Sequence, residues 1–249
     1  MYEFMIEIAG VPVMIRCRYR QNREFFHDYY SEGESRFTVE PTAEDMDRIQ
    51  ADFDRLDDAA GIPKRRGTDE FLENNAIHAL LAKALVAQDV LLMHGSALCM
   101  DGQAIIFTAK SGTGKSTHAR LWREAFGDRG WMINDDKPML RVGDTGVTVY
   151  GTPWDGKHHL GRNASAPLKA IVSLERSEEN WIRPMPRADA FPIVMKQAYF
   201  SMDAVVMAQI IQLEKRLLGA TDFYALGCNM QPEAAKVAWE GMNAGEGVR

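Results

Sequence analysis

Apolar and polar positions alternate loosely over residues 2–17, with Phe4, Ile6 and Ile8 on one side of Ala9-Gly10 and Val11, Val13 and Ile15 on the other. That period of two predicts two short strands joined as a hairpin. Residues 22–36 are polar and aromatic, and the cluster of Phe25, Phe26, Tyr29 and Tyr30 reads as packing for a small lobe. A short strand pattern follows at 37–39. Pro41-Thr42 opens a helical pattern through Asp57, with Thr42 as N-cap and Asp45 in the first turn. GIPKRRG at 61–67 carries a proline and two glycines and reads as a linker.

Beyond it the pattern changes. Thr68 caps a helix whose Phe71, Ala76, Ile77, Leu80, Leu81, Ala84 and Leu85 share one side. Residues 90–100 form an apolar strand, Asp101-Gly102 a tight turn, and 104–108 a second strand. An Asp-Gly pair between two strand patterns signals a hairpin, which gives the second strand an antiparallel neighbour. Further strands are expected at 131–133, 138–142, 147–150, 168–174 and 223–227, and helices at 188–198, 202–218 and 232–242. The expected architecture is an α/β domain with a mixed sheet over residues 68–249, preceded by a small α+β accessory lobe over residues 1–67.

Composition narrows the function classes. The chain has 249 residues, 46% hydrophobic and 26% charged, enough to bury a core, and its net charge of −6 argues against a nucleic-acid partner. No apolar run reaches the ~20 residues that span a bilayer, and the first ten residues lack a basic signal-peptide region, so no membrane association is expected. Cys17, Cys99 and Cys228 are odd in number and far apart, which fits reduced thiols in a cytoplasmic protein.

The chemistry concentrates in QAIIFTAKSGTGKSTHARLWRE at 103–124. A strand, a loop with Gly112 and Gly114, and a helix opening on Lys-Ser make the phosphate cradle of P-loop enzymes. The glycines let backbone amides turn inward as an anion nest, and the helix N-terminus adds partial positive charge. Lys115 can reach β- and γ-phosphates, and the Ser116 hydroxyl can ligate magnesium. The Walker A pattern G-x-x-x-x-G-K-[ST] begins with glycine, where this chain has Ala109. About twenty residues on, Asp135 and Asp136 end a hydrophobic strand. One carboxylate can serve the metal while the other takes a proton from an attacking hydroxyl. His94 precedes Gly95 on the neighbouring strand. GTPWDGKHHLG at 151–161 offers Asp155, Lys157, His158 and His159 without the spacing of a zinc site, and reads as a substrate-facing loop.

Taken together, HGSALCMDGQAIIFTAKSGTGKST, the NDD that follows and the GTP loop resemble the catalytic domain of HPr kinase/phosphorylase, and more closely its small bacterial kinase relatives. That group shares its core with ATP-dependent phosphoenolpyruvate carboxykinase, whose loop also reads SGTGK. The resemblance spans residues 89–174, continues weakly to the C-terminus, and leaves residues 1–67 unassigned. It implies that Ser111, Gly112, Thr113, Gly114, Lys115, Ser116 and Thr117 hold ATP, and that Ser116 and Asp136 bind magnesium. By the same resemblance Asp135 is the general base, and His94 sits beside that base and tunes it. Arg162 and Glu175 are the nearest counterparts of the family's later arginine and acidic motifs. The implied reaction is γ-phosphoryl transfer to a hydroxyl, on a seryl group of a protein or peptide or on a small metabolite. The related kinases are commonly oligomeric, which makes a homo-oligomer compatible with the resemblance. Two alternatives stay open: a non-catalytic nucleotide sensor and a carboxykinase-like lyase.

Overall fold

The computed structural model describes residues 1–110 and 113–244, and the chain divides into two compact units, Met1–Gln88 and Asp89–Arg249. In the first unit, strands β1 (Tyr2–Ile8) and β2 (Val11–Cys17) pair antiparallel, with Ile8 opposite Val11. Ala9 and Gly10 between them both have positive φ, 51° and 70°, the two-residue turn that suits the twist of a hairpin. Ile6, Ile8, Val11, Val13 and Ile15 are buried, as the alternation requires. After helix α1 (Arg20–Phe25), strand β3 (Phe37–Val39) adds in parallel to β2. The aromatic cluster packs on this small sheet: Phe26 is fully buried, with its ring 5.8 Å from that of Phe4.

Helix α2 (Ala43–Ala60) starts with the expected capping box, in which Asp45 N–H donates to Thr42 Oγ1 and the Asp45 carboxylate accepts from Thr42 N–H. Gly61, at φ 67°, closes it. Helix α3 (Asp69–Leu85) is capped by Thr68 but belongs to the first unit, so the chain divides at Gln88/Asp89 and not at the 61–67 linker. Buried Glu73 gives the physical reason. Its carboxylate accepts from Arg18 N–H (2.8 Å), Tyr19 N–H (3.3 Å) and Asn22 Nδ2 (2.8 Å), tying α3 to the chain that leads into α1. Leu72 and Ala76 pack with Met46 of α2.

The second unit is built on one mixed sheet. Its strands are β4 (Val90–Leu92), β5 (Ser96–Met100), β6 (Gln103–Thr108), β7 (Gly130–Asn134), β8 (Met139–Val142), β9 (Val147–Tyr150), β10 (Ser165–Arg176), β11 (Trp181–Pro184) and β12 (Asp222–Cys228). Helix α4 (Lys115–Phe126) follows β6, α5 (Arg187–Gln197) and α6 (Ala204–Ala220) lie between β11 and β12, and α7 (Glu233–Asn243) comes last. The main path runs β4-β8-β9-β10-β6-β5-β7, with β12 on β10 and β11 on β12. Strand β6 therefore has an antiparallel neighbour, β5, and a parallel one, β10. Asp101 and Gly102, at φ 49° and 81°, form the expected hairpin turn.

Three features depart from the pattern. The run at 90–100 is two strands broken at His94-Gly95, where the chain passes so close to β6 that a Cβ on Gly95 would meet Ile106 Cγ2 at 2.8 Å. Strand β10 is longer than its apolar stretch because it changes partners. It pairs with β9 over Ser165–Pro167, then with β6 from Leu168 and with β12 from Ala170. Strand β11 went unpredicted; it is short, ends in proline and has β12 as its neighbour. Behind β6, α4 and α7 bury Trp122, whose ring lies 5.5 Å from Phe107 and 6.0 Å from Trp239.

Candidate active site

The end of β6 delivers the glycine loop to the start of α4. Ser111 and Gly112 lie outside the described residues. Thr113 N–H donates to Lys110 O at 3.1 Å, and Gly114 turns into the helix at φ 120°, a conformation that favours glycine. Lys115 is then the first helical residue, followed by Ser116 and Thr117. Ala109 is buried in the core. Trp122 Nε1 donates to His118 Nε2 at 2.9 Å, so Nδ1 carries the imidazole hydrogen, with no partner among the described residues. Burial pushes His118 down to about 4, keeping it neutral on the inner face of α4.

Across the cavity from this helix start, β7 ends at Asn134, with Asp135 and Asp136 directly after it. Asn134 is fully buried, and its side chain builds the turn. Its Oδ1 accepts from Asp136 N–H (2.9 Å) and Lys137 N–H (2.6 Å), while Nδ2 donates to Thr152 O and Oγ1, both at 3.1 Å. Because Asn134 holds the backbone, both aspartates reach the same cavity although they are adjacent in the chain. Asp135 is nearly buried, and its Oδ1 accepts from Ser96 Oγ at 2.5 Å. Asp136 is more open, with Oδ1 3.4 Å from His94 Nε2.

His94 is held from behind by α5. Its backbone N–H donates to Gln197 O at 2.8 Å, and its Nδ1 lies 3.1 Å from Gln197 Oε1. Gln197 thus fixes the ring so that its other nitrogen, Nε2, faces Asp136. The resemblance put His94 beside Asp135; here the histidine meets Asp136, and Ser96 meets Asp135.

The loop at 151–161 folds across the aspartates. Asp155 clamps it, accepting from Asp135 N–H (2.5 Å) with one oxygen and from Gly161 N–H (2.7 Å) with the other. Gly156 lies so close that a Cβ there would stand 3.1 Å from Asp135 Oδ2. Lys157 and His158 face the cavity, whereas His159 is exposed and outside its lining. Arg162 stacks on Trp131, 5.3 Å from the ring centre, also outside it.

These elements enclose a cavity of about 650 Å³, lined by His94, Gly114, Lys115, Ser116, Thr117, Asp135, Asp136, Lys157 and His158, among others. Apolar Ala119, Met132 and Leu160 also line it, as do Arg120 and Arg123 of α4. A second groove of about 770 Å³ is lined by residues of β10 and α5 and includes Lys110, Thr113, Glu175 and Gln197. Among the described residues, no group of three or more His, Cys, Asp and Glu side chains could by itself hold a metal ion. Magnesium does not require one, since it takes one or two carboxylates and fills its shell with water and phosphate oxygens. The Ser116 hydroxyl and the Asp135-Asp136 pair fit that demand. Sequence reasoning missed Ser96, Asn134, Gln197 and Arg123. Ser96 lies two residues from His94, and an Asn before Asp-Asp is a turn signal; Gln197 and Arg123 carry no local signal.

No protein-family model matches the chain, and no curated protein matches it in sequence. Among solved structures it is similar to an Hpr(Ser) kinase/phosphatase from Coxiella burnetii, at 10% identity and a TM-score of 0.36, covering 62% of this chain and 98% of that one. That is a distant likeness of fold. No described helix is long and apolar enough to cross a membrane.

Proposed function

We propose that the chain is a magnesium-dependent kinase that transfers the γ-phosphoryl group of ATP to a hydroxyl, on a seryl group of a protein or peptide or on a small metabolite. The observation that carries this reading is the convergence, in one cavity, of Lys115 and Ser116 at the start of α4 with Asp135, Asp136 and His94. A helix start with a lysine suits a polyphosphate, and two carboxylates opposite it suit a metal and a proton. The glycine loop, residues 111–117, would hold the triphosphate. Bound magnesium would neutralise charge developing on the phosphoryl oxygens, with Ser116 and Asp136 holding it.

In the transfer, the acceptor oxygen forms a bond to the γ-phosphorus as the bond from that phosphorus to the bridging oxygen breaks and ADP departs. The hydroxyl proton goes to Asp135, which is fixed by Ser96 and by the Asp155 clamp. Catalysis of this type rests on positioning and charge neutralisation. The contact between His94 and Asp136 favours a second division of labour, with Asp136 taking the proton and Asp135 on the metal.

The test is magnesium-dependent ADP release by the purified protein across seryl peptides and small hydroxyl compounds. Lys115→Ala is expected to abolish it. Replacing the base by Asn removes turnover and spares nucleotide affinity, whereas replacing the metal ligand weakens magnesium-dependent binding, so comparing Asp135→Asn with Asp136→Asn assigns the roles. Tight ATP binding without turnover on any acceptor would instead mark a nucleotide sensor, and failure to bind ATP would refute the reading.

A further inference from the structure

Arg123 lines the same cavity but has no role in the reaction above. It lies eight residues beyond Lys115 on α4, about 12 Å along the helix axis. Its Nε is shut off from solvent and has no hydrogen-bond partner among the described residues, and no described carboxylate pairs with its guanidinium. The neighbouring Arg120 differs, being ion-paired with Glu124. Asp135 is engaged by Ser96 and Asp136 by His94. From the loop opposite, Lys157 adds another cation without a described partner.

A guanidinium nitrogen shut off from solvent without a partner is costly, and arginine cannot escape the cost by losing its proton. What relieves it is an oxyanion, which the guanidinium fork meets with paired hydrogen bonds. The triphosphate is already provided for at the start of α4, two helical turns away. That leaves Arg123 for an anion on the other substrate. We propose that Arg123 receives an oxyanion of the phosphoryl acceptor, so that the acceptor is a hydroxyl compound that also carries a carboxylate or a phosphate. This rests on the kinase reading above. The apolar lining residues Ala119, Met132 and Leu160 would take the short carbon chain between its hydroxyl and its anion.

The test is calorimetric titration of the full-length protein, saturated with magnesium and a non-hydrolysable ATP analogue. Three probes share a carbon skeleton: glycerate, glycerol 3-phosphate and glycerol. At least one anionic probe is expected to bind and glycerol is not, and whichever anion binds separates carboxylate from phosphate. Arg123→Gln is expected to weaken that binding by about tenfold or more, the loss of a charged hydrogen-bonded contact. Arg123→Lys, which keeps the charge without the fork, is expected to fall between and remains a readout if the Gln variant misfolds. The proposal is overturned if neither anion binds, if glycerol binds as well, or if Arg123→Gln binds the anion as wild type does. It is also overturned if the anion binds only when the analogue is absent, which would assign Arg123 to the nucleotide's own phosphates. If the analogue itself does not bind, the kinase reading fails, and the same titrations without nucleotide still decide whether Arg123 holds an anion.

Discussion

Acidifying the protein from pH 7 to pH 4.5 is expected to cost most of the stability held by one neutral histidine, His118. Desolvation lowers its folded-state value from 6.5 to about 4. Between those values the unfolded chain binds a proton that the folded chain does not, so stability falls as pH falls through this window. Above about 6.5 nothing is lost, and the loss is complete near 4. At about 1.4 kcal/mol per pH unit, the whole window is worth about 3 kcal/mol. The geometry supports this magnitude: Nε2 is taken up as acceptor for Trp122 Nε1, Nδ1 has no described partner, and the ring is buried edge-on against Phe107. The assay is urea unfolding at a series of pH values, comparing wild type with His118→Gln, which keeps an acceptor for Trp122 and does not titrate. Other groups contribute equally to both proteins, so the difference between the two curves isolates the histidine. The wild type is expected to lose about 3 kcal/mol more than the variant between pH 7 and pH 4. Parallel curves would refute the reasoning, since they would mean that the imidazole gains its charge in the folded protein without penalty.

Glu73→Ala strands three donors around Arg18, Tyr19 and Asn22, and is expected to cost about 3 kcal/mol or more, read as the unfolding of the first unit in urea. Asn134→Ala removes the acceptor for two backbone amides and is expected to cost about 2–3 kcal/mol, with a fall in any phosphotransfer turnover because both aspartates lose their turn. Two glycines give opposite signs. A Cβ at Gly161 would stand 2.8–3.0 Å from the Asp155 carboxylate, so Gly161→Ala is expected to destabilise by about 1–3 kcal/mol. Gly219, within α6, has nothing within 4 Å of an added Cβ, so Gly219→Ala is expected to stabilise by about 0.5–1 kcal/mol. Urea midpoints of the two variants check both.

Local signals carried much of the architecture. Ala9-Gly10 and Asp101-Gly102 need positive φ within two residues, a property of the backbone at that point, so both hairpins were readable. The capping box at Thr42 and Asp45 is likewise a contact between residues three apart. Lys115 at the first turn of α4 and the aspartates at the end of β7 followed from where an apolar pattern stops. What lay beyond the sequence depends on contacts between distant positions. The helix at 69–85 joins the first unit because Glu73 reaches residues more than fifty positions earlier, and no composition shift marks that bond. Strand β10 outruns its apolar stretch because two sets of neighbours pair with its two ends.

The candidate site divides in the same way. Residue types and spacing determined that Lys115, Ser116, Asp135 and Asp136 are the groups to watch, because phosphate and metal chemistry demand those side chains at strand and helix ends. Only the fold decided who meets whom. His94 contacts Asp136 because the end of α5 holds it through Gln197, 103 positions along the chain, and Ser96 is left to meet Asp135 across the sheet. Arg123 reads in the sequence as one more polar residue on an amphipathic helix. That its Nε is shut off from solvent without a partner is a property of its surroundings, and it appears only once α4 has packed.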